Sequence, residues 1–277
     1  MRPIDIIALL IMFGVLAASL LGLFDDGSQP REERRRPAPA GPALPDPSPR
    51  DPVVMVQESD RRGNSVGTAF SLDSEGVWMT ARHVVEGCSK VGILRDRENA
   101  VRVHRIWIHP DADLAILSET LKRPALAFAD RLPTLGETGY GIGYPQGNPG
   151  DVTGTLIGRA VSVRSTRQDK REPILTWAET ARFPDFEGSL GGISGGPLFV
   201  SEGLVAGVVI SGSPRRGRFN TAAPRSFPAA LAAAGLRRQA DIRFYPTPDD
   251  ISESRFDGLG DALRSAGAVA QVFCLVE

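Results

Sequence analysis

The chain opens on an uncharged apolar run, Ile6 to Phe24, bracketed by Asp5 and by Asp25 and Asp26. As a helix this run is about 28 Å long, which matches the hydrocarbon core of a bilayer. A cleaved signal has a shorter apolar region that ends at small residues. Ala17-Ala18-Ser19 could be such a site, but the run continues through Leu20, Leu21 and Leu23. The pattern predicts an uncleaved single-span anchor over residues 1–24, with a cleaved signal as the alternative. Residues 25–52 follow with eight prolines, from Pro30 to Pro52. Proline removes a backbone donor and fixes φ, so this segment is predicted to be an extended, disordered linker.

From Val53 the pattern changes to short apolar or alternating runs separated by Gly, Pro and Asp, which predict strands. They lie at 65–72, 77–80, 91–94, 101–108 and 114–117, then at 140–144, 155–163, 174–179, 197–200 and 204–210. An Ala-rich stretch, Phe227 to Leu236, predicts a helix. Residues 53–239 therefore form one all-β body of barrels or sandwiches. Residues 240–277 form a C-terminal extension packed on it, with a short helix near 255–265 and a strand near 272–276.

Composition narrows the picture. The chain has 277 residues and a net charge of −1, so no pull toward nucleic acid is expected. Thirty glycines and 22 prolines suit a turn-rich β body. Two cysteines, Cys88 and Cys274, exclude a disulfide-dense scaffold and give no metal-ligand spacing. They are either one bridge or two buried thiols. No metal or cofactor is predicted.

Three segments carry chemistry. Gly191-Gly192-Ile193-Ser194-Gly195-Gly196-Pro197 places a hydroxyl among glycines. A serine nucleophile needs a base beside it and N–H donors for the oxyanion. The flanking glycines let the chain bend and turn its amides toward a carbonyl. The predicted donors are the N–H groups of Gly192 and Ser194. Thr80-Ala81-Arg82-His83-Val84-Val85 follows a strand and supplies an imidazole able to take a proton near neutral pH. His104 and His109 are read as structural. Asp111-Ala112-Asp113-Leu114-Ala115-Ile116-Leu117 puts a carboxylate against an apolar strand. Burial there is costly unless a donor such as His83 Nδ1–H relieves it. Asp113 abuts the strand, whereas Asp111 belongs to the preceding turn. The order His83, Asp113, Ser194 is one of the known chain orders of a serine triad.

In these segments the chain resembles the trypsin-like serine peptidases, and among them the bacterial HtrA/Deg-type proteases without a PDZ domain. TARHVV, DADLAIL and GGISGGPLF match the histidine, aspartate and serine motifs. GETGYGIGYPQG and DVTGTLIGRAVSV match supporting segments. The resemblance covers about Val53 to Leu236. It implies two six-stranded β-barrels with the triad between them, His83 and Asp113 from the first and Ser194 from the second. It also implies a serine endopeptidase acting on proteins or peptides, with no cofactor. The substrate pocket is expected at Gly188, Ile210, Ser211 and Gly212. Gly188 stands where a trypsin-like acid would, which favours an uncharged aliphatic side chain.

The chain departs from the pattern at Ile193, where the family has Asn or Asp. The residues after Leu236 are too few for a PDZ domain. Anchored relatives are exported, which implies a periplasmic or extracytoplasmic domain and permits a Cys88–Cys274 bridge. The arginines at 31 and 34–36 argue the opposite orientation by the positive-inside rule. The alternative function is a catalytically latent binding or scaffolding protein of the cell envelope on the same fold.

Overall fold

A computed structural model describes residues 41–56, 63–73, 75–96, 98–164, 167–235 and 244–276. The expected anchor and the first part of the linker lie outside the described residues. Among the described residues no helix is long and apolar enough to cross a membrane.

In chain order the strands are β1 (Val53–Val56), β2 (Ser65–Ser71), β3 (Val77–Thr80), β4 (Lys90–Leu94), β5 (Ala100–Arg102), β6 (Arg105–Ile108) and β7 (Ala115–Ser118). They continue as β8 (Thr138–Gly143), β9 (Gly150–Arg164), β10 (Arg167–Phe183), β11 (Pro197–Phe199), β12 (Val205–Ser213), β13 (Arg218–Ala222) and β14 (Val269–Leu275). The helices are α1 (Arg82–Val85), α2 (Phe227–Ala233) and α3 (Glu253–Ser265).

The second half of the chain forms a closed barrel. Its order is β9-β10-β13-β12-β11-β8, and β8 pairs back onto β9 to complete the ring. β1 adds to the outside of this barrel in parallel with the end of β9. β12 reads as a nearly unbroken apolar run because both its faces are covered. Val209 enters the inner cluster with Trp177, Leu198 and Phe219, while Val208 and Ile210 enter the larger core.

The first sheet corrects the expectation of two six-stranded barrels. Its order is β5-β4-β14-β2-β3-β7-β6, and its two edge strands do not pair. It is a half-barrel. The cause lies in the 101–108 stretch, read from sequence as one strand. The chain bends there at Val103 and His104. Val103 N donates to Val91 O on the β4 side, and His104 N to Ser118 O on the β7 side, each at 2.9 Å. One continuous backbone segment thus joins the two edges, where a closed barrel would have a hydrogen-bonded ladder.

The C-terminal strand is a full member of this sheet. β14 lies between β2 and β4, antiparallel to both. α3 comes just before it and buries Phe256, Leu259 and Leu263. Arg264 forks onto Asp151 of the second barrel at 2.6 and 2.9 Å. The prolines at 42–52 form neither helix nor strand and lie along the second barrel. Leu135 N donates to Pro42 O, and Val161 N to Pro52 O.

Candidate active site

α1 starts where β3 ends and has no side-chain cap from its own flanks. Asp113 meets its first amides instead. Arg82 N donates to Asp113 O at 3.2 Å and His83 N to Asp113 Oδ1 at 3.0 Å. This satisfies N–H groups that a helix start leaves without partners. The same carboxylate holds the imidazole, with His83 Nδ1 2.7 Å from Asp113 Oδ2. The Asp113 side chain is fully buried, and that of His83 is 30% exposed. Burial pushes the Asp113 carboxyl up, but His83 and Arg164 outweigh it and hold the group below the usual carboxylate range. An ionised acceptor at Nδ1 makes that nitrogen the protonated one and leaves a lone pair on Nε2.

His109 and Asp111 are separated from this pairing. His109 Nδ1 accepts from Asp111 N and Ala112 N and shapes the turn. Asp111 is exposed and pairs with Lys170.

The Ser194 loop is fixed on the first sheet through its backbone. Thr68 N donates to Ser194 O at 2.8 Å, and Thr68 Oγ1 donates to Gly192 O at 2.8 Å. Thr68 and Thr80 are cross-linked by the Thr80 hydroxyl. Gly195, at φ +90°, sits so close that a Cβ there would overlap the Thr68 carbonyl and the Thr80 hydroxyl and come 2.9 Å from Ala81 N. The serine loop therefore packs on the strand end from which His83 emerges.

Two carbonyls in the loop are held and turn two amides outward. Gly191 O accepts from Gln146 N, and Ile193 O accepts from Gly196 N at 2.8 Å. In a planar trans peptide the N–H lies on the edge opposite the C=O. The Gly192 and Ser194 N–H groups accordingly point away from these partners. Neither donates to a hydrogen bond among the described residues. Ile193 is 1% exposed and packs in the inner cluster of the second barrel. An apolar anchor thus stands at the position where the family resemblance implies Asn or Asp. No hydrogen bond joins Ser194 Oγ to His83 among the described residues.

The expected pocket residues divide. Gly188 and Gly212 line an open cavity of about 920 Å³, together with Arg182, Phe186, Glu187 and Arg215. Ile210 is buried in the core, and the Ser211 hydroxyl accepts from Asn220 Nδ2 at 3.0 Å. Arg182 shapes the cavity wall. It donates to Gly188 O and Phe186 O, pairs with Glu179 and lies over the Phe186 ring.

Cys88 and Cys274 are bridged, with Cα atoms 5.4 Å apart. The bridge fastens β14 just beyond α1. Among the described residues no cluster of His, Cys, Asp or Glu is arranged to hold a metal ion.

Sequence reasoning missed Thr68, Arg182, Arg164 and Glu172. Arg164 and Glu172 are both buried beside Asp113. Both lie just outside the strand-like stretches at 155–163 and 174–179, and a charge there does not name a partner.

Residues 67–208 match the family described as a trypsin-like peptidase domain. A putative serine protease, HhoB, of Synechocystis sp. is 32% identical over 161 residues, 56% of this chain and 36% of its own length. A probable periplasmic serine endoprotease, DegP-like, of Halomonas elongata is 28% identical over 173 residues, 59% of this chain and 32% of its own length. The chain thus spans about a third of the length of these relatives. The crystal structure of the Rv3671c protease of M. tuberculosis, inactive form, aligns with a TM-score of 0.50 at 22% identity. It covers 62% of this chain and 88% of that one.

Proposed function

The chain belongs to the trypsin-like peptidase family, and on that premise we propose that it is a serine endopeptidase. Ser194 is its nucleophile, His83 its general base and Asp113 the group that orients the base. The observation that carries this reading is the His83–Asp113 pairing, 2.7 Å from Nδ1 to Oδ2, beside a serine loop with two undonated amides.

The proposed chemistry runs through these residues. Substrate binding brings a peptide carbonyl against Ser194 Oγ. His83 Nε2 takes the hydroxyl proton as the oxygen attacks. The imidazolium that forms is stabilised by the buried Asp113 carboxylate, which stays ionised. The carbonyl oxygen becomes an oxyanion and is received by the Gly192 and Ser194 N–H groups. His83 then returns its proton to the leaving amine, and an acyl group remains on Ser194. Water reverses these steps and frees the acid. Ile193 supports the oxyanion loop by burial in the barrel, so the loop needs no ion pair to hold it. The cavity at Gly188 and Gly212 takes the side chain before the cut bond, and an uncharged aliphatic one is preferred.

The domain works outside the cytoplasm, tethered by residues 1–24. The Cys88–Cys274 bridge supports this, since such bonds persist in oxidising compartments. The DegP-like relative described as periplasmic supports it as well. A reporter fused after Glu277 should be active only in an extracytoplasmic compartment.

The missing Ser194–His83 hydrogen bond favours one second reading, a latent site that binds without cutting. Hydrolysis of an unfolded protein by the full chain separates the two. The endopeptidase reading expects cleavage by the wild type and none by Ser194→Ala. Equal residual cleavage by both, or none by either under any condition, would refute it.

A further inference from the structure

Asp113 carries a second cation. Arg164, at the end of β9, donates from Nη2 to Asp113 Oδ2, the oxygen that also meets His83 Nδ1. Both side chains are buried, that of Arg164 at 10% exposure and that of Asp113 at 0%. β8 accompanies β9 only as far as Thr155. The rest of β9 continues past it, paired with β10 on one side. β1 pairs on the other side of its final residues, with Val56 opposite Arg164. The second barrel thus reaches across to the first sheet and places a guanidinium on its carboxylate.

His83 can act as a base only while neutral. In that state it offers Asp113 a hydrogen bond but no countercharge, and a lone buried carboxylate is expensive. A guanidinium is charged at every working pH and has a planar fork suited to a carboxylate. We propose that Arg164 is a positioning residue of the triad: it fixes Asp113 Oδ2 and supplies the constant countercharge that lets His83 rest neutral. This rests on the endopeptidase reading given above.

The other charged groups facing Asp113 do not replace it. Arg82 is committed to Glu86 and to the His109 carbonyl. Asp111 and Lys170 pair with each other at the surface. His109 is held below the usual imidazole range by burial. Burial, with the Asp113 charge, pushes Glu172 up to about 8, and in neither form can a carboxyl supply a positive charge.

The test compares the full-length wild type with Arg164→Gln and Arg164→Lys, each checked for folding by circular dichroism and melting. The readout is the rate of labelling by a fluorophosphonate probe as a function of pH. Loss of the cation leaves the imidazolium favoured. In Arg164→Gln the acidic limb should move up by about one pH unit and the plateau rate fall about tenfold or more. Arg164→Lys should restore the limb and recover part of the rate. A folded Arg164→Gln with the wild-type limb and rate would overturn the proposal. So would a rate loss with an unmoved limb that lysine does not rescue. If the wild type is not labelled at all, the endopeptidase reading fails first. The His83 ring titration by NMR then decides alone: an upward move in Arg164→Gln supports the Arg164 role, and no move refutes it.

Discussion

The second barrel closes on itself through the β8–β9 pairing, whereas the first sheet keeps two unpaired edges. The closed barrel gives the site a backbone loop around Ser194, set by carbonyl anchors and by Ile193 buried beneath it. The half-barrel gives two side chains, His83 on the four-residue α1 and Asp113 in the bend before β7. What the half-barrel lacks in closure it gains from elsewhere in the chain. A C-terminal strand fills its middle, a disulfide fastens that strand beside α1, and a hairpin from the second barrel reaches Asp113. The loop that must aim amides is held by its own closed barrel and by Thr68 of the first sheet. A side-chain pair that must stay aligned is held here by two distant segments, the disulfide-fastened C-terminal strand and the β9–β10 hairpin.

The largest way to break this comparison is at the seam. Gly195→Ala puts a methyl group into the Thr68 carbonyl and Thr80 hydroxyl at a positive φ. The loop must shift, and Ser194 loses its place against His83. Activity should fall on the order of 10³-fold or more, comparable to losing an oxyanion donor or worse. Peptide hydrolysis measures it, and an active, folded variant would break the account of the seam.

Opening the disulfide tests whether the half-barrel is the weaker region. The bridge closes a loop with a sequence separation of 186. Replacing both Cys88 and Cys274 by serine should cost about 2–5 kcal/mol in urea unfolding. The loss should be uneven. Hydrogen exchange should speed up in β14, β2 and α1 before β9 to β12. Uniform exchange across both regions would show that the two halves unfold as one.

The smallest effect sharpens the contact between hairpin and half-barrel. Glu172 is buried beside Asp113 and titrates near 8 instead of 4.5. A raised folded-state value means that stability is full below about pH 4.5 and is lost as pH rises toward 8. Glu172→Gln cannot ionise, so its advantage over the wild type should grow by ~1–3 kcal/mol between pH 5 and pH 8. Melting of both proteins across that range checks it. A pH-independent difference would mean that Glu172 is not buried as described.

The candidate positions His83, Asp113 and Ser194 could be picked out because each sits in a short segment whose chemistry is local: a histidine after a strand, an acid before an apolar strand, a serine among glycines. Most strands were legible for the same reason, through local apolar runs. β13 was not, since Arg218 to Ala222 has little apolar character, and β1, a four-residue run just after the linker, was not singled out as a strand. β9 and β10 ran longer than read because polar residues such as Arg164 and Glu172 find partners only in the folded chain. The strand near the C-terminus could be seen, but not its place between β2 and β4, because strand pairing is a non-local choice. The bend at Val103 and His104 left no signal at all, and with it the open half-barrel was missed. Ile193 looked like a defect in the motif, yet it is the apolar anchor of the loop.

The central claim is that Ser194 is made nucleophilic by His83 on Asp113. The most direct measurement is intact-mass and peptide mapping after exposure of the full chain to a fluorophosphonate. The wild type should gain one adduct, on Ser194. Ser194→Ala should gain none, and His83→Ala should react at least about 10³-fold more slowly. An adduct on another residue, or equal labelling of wild type and His83→Ala, would contradict the account.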